Sequence, residues 1–171
     1  GNFRIATTTG NTWDESSLNN LYVLNEDLEI VGSVENLAEG ERIYSTRFIG
    51  DRAFMVTFRQ VDPLYVIDLA DEENPEVLGY LKVTGYSSYL HPYDEDHIIG
   101  VGQEADENGR TTGVKISLFD VSDVANPEEV GKYTVDEGIW SYSEALYDHK
   151  AFLFDREKNL LVIPVSLAEI N

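Results

Sequence analysis

Cysteine is absent from the 171 residues, so the chain forms neither a disulfide nor a thiolate metal site. That absence assigns no compartment, because exported bacterial and archaeal proteins often do without cysteine. No run of about 18 uninterrupted apolar residues occurs, which argues against a transmembrane helix. The start Gly1-Asn2-Phe3-Arg4-Ile5 has no signal-peptide pattern, and any export signal is expected outside this segment. Basic residues are scarce as well: 12 Lys and Arg stand against 32 Asp and Glu, a formal charge of −20. Such a chain repels nucleic acid and anionic lipid, and neither is expected among its partners. The charge suits a solvated acidic exterior or, alternatively, the recruitment of cations or a basic partner. A long amphipathic helix is also missing, and Val121 to Val124 or Leu167 to Ile170 make a helical turn at most.

What is present is enough to fold, with 42% hydrophobic residues, and it repeats. Asp68-Leu-Ala-Asp71-Glu-Glu-Asn74-Pro75-Glu76-Val-Leu78-Gly79 returns, without a gap and 52 residues later, as Asp120-Val-Ser-Asp123-Val-Ala-Asn126-Pro127-Glu128-Glu-Val130-Gly131. A shortened copy runs from Leu21-Tyr-Val-Leu24-Asn25 to Gly32. A second element recurs as Tyr44 to Phe54, Tyr86 to Ile98 and Tyr142 to Phe152. The Tyr-Ser starts at 44, 86 and 142 lie 42 and 56 residues apart, and a polar insertion from Gly102 to Gly113 accounts for most of the longer step. About 42 residues suits one four-stranded blade. Segments such as Phe54 to Phe58, Leu64 to Asp68 and Val77 to Val83 are short, rich in β-branched and aromatic residues, and bounded by turn chemistry. The expected fold is all-β: a partial β-propeller of four-stranded antiparallel blades, three to four in number and a fragment of a larger ring. Approximate blades are 1–41 (partial), 42–84, 85–137 and 138–171 (partial). A piece of a ring exposes apolar faces at both ends, so the chain is expected either to continue or to self-associate through exposed blade faces.

The runs Tyr86-Ser-Ser-Tyr-Leu-His-Pro-Tyr-Asp94, Gly109-Arg-Thr-Thr-Gly113 through Asp123, and Tyr142-Ser-Glu-Ala-Leu-Tyr-Asp-His-Lys-Ala-Phe152 resemble a family of secreted bacterial and archaeal proteins. Its C-terminal β-propeller is distantly related to WD-40 repeats. The resemblance covers the chain from about Leu21 onward. It implies an extracytoplasmic location and no established activity, so it assigns no catalytic residue. Members of that family are much longer than this chain.

Glu104-Ala-Asp106-Glu-Asn108-Gly109 begins like a calcium-binding EF-hand loop, but the twelfth position is Lys115 rather than a bidentate glutamate. Calcium through Glu104, Asp106 and Asn108 is therefore set against a solvated hairpin tip. His91, Asp94, Asp96 and His97 are metal-ligating types close in sequence, with Asp94 to Asp96 reading as a hairpin turn. His91, His97 and His149 are the available imidazole bases, yet there is no Gly-x-Ser-x-Gly elbow, and Ser87, Ser88 and Ser143 read as strand residues. Gly100-Val-Gly102 precedes no helix and makes no phosphate loop.

The recurring Tyr44, Tyr86 and Tyr142 are expected near the start of each blade's first, channel-lining strand. Alternation sends Phe48, Leu90 and Leu146 to the core and turns Ser45 with Arg47, or Ser143 with Ala145, the other way. Packing common to every blade is one reading of the tyrosines. The other is a ligand-binding channel face with Arg47, Tyr89 and Glu144. The leading expectation is an extracytoplasmic binding or scaffold module for an unknown protein or small molecule, without a cofactor other than calcium. A hydrolase-type site assembled across the full ring and a calcium-stabilised structural protein are the alternatives.

Overall fold

The computed structural model describes residues 1–59, 62–106, 108–135 and 140–168. The expected boundary at 137/138 and the end of the Leu167 to Ile170 turn lie outside them. Strands β1 (Phe3–Thr9), β2 (Leu18–Leu24) and β3 (Ile30–Leu37) form the first sheet. The second sheet holds β4 (Arg42–Ile49), β5 (Arg52–Phe58), β6 (Asp62–Asp68) and β7 (Glu76–Val83). The third holds β8 (Tyr86–Pro92), β9 (His97–Ala105), β10 (Thr111–Asp120) and β11 (Glu128–Thr134). Within these three sheets every pairing is antiparallel and joins consecutive strands. β4 and β8 run close together while β7 and β11 barely meet, so the sheets splay outward as propeller blades do.

Burial follows from the strand period. Along β5 every residue from Ala53 to Phe58 is buried, because both faces of the strand are covered. Ala53 and Met55 pack with Leu21, Val23, Ile67 and Leu69 toward the first sheet. Phe54, Val56 and Phe58 pack with Leu64 and Val66 against Tyr86, Leu90, Ile98 and Phe119 of the third. Beyond it, Ile99 and Val101 meet Ala145, Leu146, Phe152 and Phe154. Each Val, Leu, Ile, Phe or Met among them that is fully buried contributes about 1.5–3 kcal/mol. The blades are thus held mainly face to face.

The Asn-Pro turns repeat atom for atom. Asp71 Oδ1 accepts from the Glu73 N–H at 3.1 Å and its Oδ2 from the Asn74 amide at 3.0 Å. Asp123 accepts from the Ala125 N–H at 3.1 Å and from the Asn126 amide at 2.9 Å. The amide bonds first, then the backbone ones, hold both carboxyls below their ordinary pKa.

The fourth unit departs from expectation. Tyr142 closes a strand instead of opening one: β12 (Trp140–Tyr142) pairs with β15 (Ser166–Ala168), and β13 (Leu153–Asp155) with β14 (Leu160–Val162). Between β12 and β13 lie two 3-10 turns, Glu144–Leu146 and His149–Ala151. Ser143 Oγ accepts from the Ala145 N–H at 3.2 Å, and Asp148 Oδ1 from the Lys150 N–H at 2.9 Å. These local bonds divert the backbone from a strand. Ser143 is therefore a cap, and Ala145 joins Leu146 in the core rather than facing away from it. Phe48 and Leu90 do pack toward the preceding sheet, as alternation requires.

Apolar side chains are left exposed at both ends. In the first sheet Phe3 and Ile30 both lie opposite Leu24, on the face turned from the core, at 58% and 60% exposure. In the fourth unit Leu153, Leu160 and Val162 are also exposed.

Candidate functional site

The three recurrent tyrosines fall into two environments. Tyr44 and Tyr86 meet across the seam between the second and third sheets, ring centroids 4.4 Å apart, and both pack on Phe58, at 5.7 and 4.9 Å. Register shifts at Ile43/Ser45 in β4 and Ser87/Tyr89 in β8 accompany this packing. The Arg42 guanidinium lies 4.8 Å from the centre of the Tyr44 ring and donates to its hydroxyl at 3.3 Å. The Tyr86 hydroxyl donates to Gln103 Oε1 at 2.6 Å. Burial, with the neighbouring Tyr44 and Tyr147 phenols adding to it, pushes Tyr86 up to about 12. It is a neutral structural donor.

Tyr142 is different. Its ring stacks on Trp140 at 6.0 Å and 12°, and on Tyr147 at 5.8 Å and 25°. The outer members are open to solvent, Trp140 at 46% and Tyr147 at 77%. The β12 strand carries Trp140 and Tyr142 two residues apart, and the 3-10 turn after it brings Tyr147 back to Tyr142. Sequence reasoning singled out Tyr142 and missed both neighbours. Aromatic residues at 140, 142 and 147 amid Ser, Glu and Asp were the available signal.

Arg47 and Tyr89 both neighbour His91, and Glu144 stands on the first 3-10 turn. Arg47 is half-buried on β4, close enough to His91 that its charge, after burial, lowers the imidazole pKa. The half-buried Tyr89 ring packs on Phe152 at 5.0 Å, against the core between the third sheet and the fourth unit. The Tyr89 hydroxyl shares a 3.1 Å hydrogen bond with His91 Nδ1. Tyr89 alternates with Leu90, so the two face opposite sides of β8, Leu90 the second sheet and Tyr89 the fourth unit. Glu144 is exposed on the 3-10 turn.

The candidate calcium loop is shorter than its sequence suggested, since β9 runs to Ala105 and β10 starts at Thr111. Glu104 is turned into a salt bridge with Lys132 at 2.9 Å. Asp106 Oδ1 accepts from the N–H groups of Asn108 and Arg110, both at 2.9 Å, which closes the hairpin. Asn108 joins it through its backbone, and Glu107 lies outside the described residues. Lys115, the twelfth loop position, is buried in β10, donates to the Thr84 carbonyl and lies 3.9 Å from Glu129.

His97 and Asp94 do come together, at 2.8 Å, with Asp120 3.9 Å from the other ring nitrogen. The Asp94 hydrogen bond raises the His97 pKa and lowers that of Asp94. His91 stands apart, its ring 4.8 Å from Phe152 and 5.4 Å from Phe154. Among the described residues no three His, Asp or Glu side chains are placed to share a metal ion.

Residues 1–171 match the Beta propeller domain family throughout. An uncharacterised protein of Methanocaldococcus jannaschii is 46% identical over 165 residues, which is 96% of this chain and 25% of the relative. An uncharacterised protein of Archaeoglobus fulgidus is 47% identical over 164 residues, 96% of this chain and 24% of the relative. The chain thus spans about a quarter of the length of these two relatives. From its repeats, its splayed antiparallel sheets and this match, the chain belongs to the Beta propeller domain family.

Proposed function

We propose that this chain is a binding module of a larger propeller, working outside the cytoplasm, and that it captures a positively charged partner on the stack of Trp140, Tyr142 and Tyr147. The exposed stack carries the reading: the Tyr44–Tyr86 pair is consumed in packing, whereas Trp140 and Tyr147 keep large surfaces in water. Aromatic faces carry a negative quadrupole and attract ammonium and guanidinium groups, each contact giving about 0.5–1 kcal/mol at exposed sites. A net charge of −20 draws cations toward the same surface and repels anions. Membership of a propeller family supports a binding or scaffold role.

The test is calorimetry of the full-length protein with lysine- and arginine-rich peptides, with glutamate-rich peptides as the control. Binding of the basic peptides that Trp140→Ala and Tyr147→Ala each weaken about two- to fivefold, with the fold intact, supports the proposal. Equal affinity for acidic and basic peptides, or none for either, removes it.

A further inference from the structure

Three glycines hold the same register in successive outer strands. Gly32 lies opposite Val23, Gly79 opposite Val66 and Gly131 opposite Leu118. In each sheet a register shift follows that pair at once, at Val23/Leu24, Val66/Ile67 and Leu118/Phe119. None of the three sits at positive φ, so the backbone does not demand glycine there. Space demands it at two of them. A methyl group on Gly32 would run into the Glu72 carbonyl and stand 2.9 Å from Pro75 Cδ. One on Gly79 would run into the Val124 carbonyl and stand 2.8 Å from the Ala125 carbonyl oxygen.

These obstacles belong to the two Asn-Pro turns. The turn of the second sheet lies on the glycine of the first, and the turn of the third on the glycine of the second. Val23, Val66 and Leu118 all belong to the core facing the following unit, so the three glycines point the same way. At Gly131 an added methyl would meet, among the described residues, only Leu118 of its own sheet, in ordinary contact at 3.6 Å. Beside it runs a cleft of about 370 Å³ lined by Ile116, Leu118, Tyr133, Phe154 and Leu161.

We infer that Gly131 and this cleft receive the outer hairpin of the fourth blade, with a turn of the Asp-x-x-Asp-x-x-Asn-Pro kind over the glycine, supplied by the same polypeptide. The established Gly32 and Gly79 contacts define the geometry. The apolar cleft continues the core between the third sheet and the fourth unit, and the relatives' length leaves room for such a hairpin.

The test compares Gly79→Ala and Gly131→Ala in the full-length protein, using thermal unfolding together with hydrogen exchange of the wild type around residues 130–133. Equal falls in Tm for the two variants, with slower exchange at 130–133 than in the 171-residue chain, are expected. An unchanged Tm for Gly131→Ala in the full-length protein, with exchange as fast as in the short chain, would overturn the assignment. Should Gly131→Ala fail to fold, the wild-type exchange comparison decides. If the short chain dimerises and Gly131→Ala abolishes the dimer while full-length exchange stays fast, the occupant is a second copy and the same-polypeptide assignment is wrong. None of these outcomes depends on what the aromatic stack binds.

Discussion

Ser45 Oγ donates to the carbonyl oxygen of Ser87 at 2.7 Å. The second residue of one Tyr-Ser pair thereby ties β4 to the second residue of the next pair in β8. In the fourth unit, Ser141 rather than Ser143 reaches the third sheet, its Oγ accepting from the Val114 N–H at 2.7 Å. Ser45→Ala should therefore cost about 0.5–1.5 kcal/mol, the net value of one intramolecular hydrogen bond. A urea midpoint lowered at unchanged slope is the expected observation.

Lys115 is 1% exposed, and its ammonium is held by the Thr84 carbonyl with Glu129 at 3.9 Å. Glu129 also accepts from Ser117 Oγ at 2.6 Å. Lys115→Ala opens a cavity where a long buried side chain stood, and should cost about 2–5 kcal/mol. Lys115→Met keeps the volume and should cost less than half as much. Chemical denaturation of both variants checks the ordering; equal losses would mean that charge, not packing, dominates.

Two histidines should separate on titration. His91 is pushed below 6.5 by burial, then by Arg47, while the Asp94 hydrogen bond raises His97 above 6.5. The signs oppose each other. His97 favours the folded state below its unfolded pKa, and this is lost as pH rises through the folded value. His91 favours it above its unfolded pKa, and this is lost as pH falls toward the folded value. Imidazole NMR should show two midpoints on either side of 6.5, and Asp94→Asn should bring the higher one down while leaving the lower in place.

The repeat was legible because blade packing is local and periodic: Asp68 to Gly79 and Asp120 to Gly131 form the same turn with the same bonds. The exposed ends followed from counting strands. Less legible was anything set by partners distant in sequence. Glu104 looked like a calcium ligand in its loop, but Lys132 claims it from 28 residues away. Tyr89 was singled out as a binding residue, and its ring packs on Phe152, a contact with a residue distant in sequence. Tyr142 aligned with a strand start, yet two side-chain caps, Ser143 and Asp148, wind the next residues into 3-10 turns and create the stack.

The 171 residues hold two tryptophans, and Trp13 is 88% exposed in the loop between β1 and β2, so in the 171-residue chain Trp13→Phe leaves Trp140 as the one indole reporter. The most direct measurement is the emission of Trp140 in that variant, titrated with an arginine-rich peptide at low and at physiological salt. A saturable change that weakens as salt rises and disappears in Tyr147→Ala is the predicted result, because screening removes the long-range attraction and the truncation removes one plane of the stack. Emission that stays flat while calorimetry detects binding of the same peptide would place the partner elsewhere on the propeller and contradict the account.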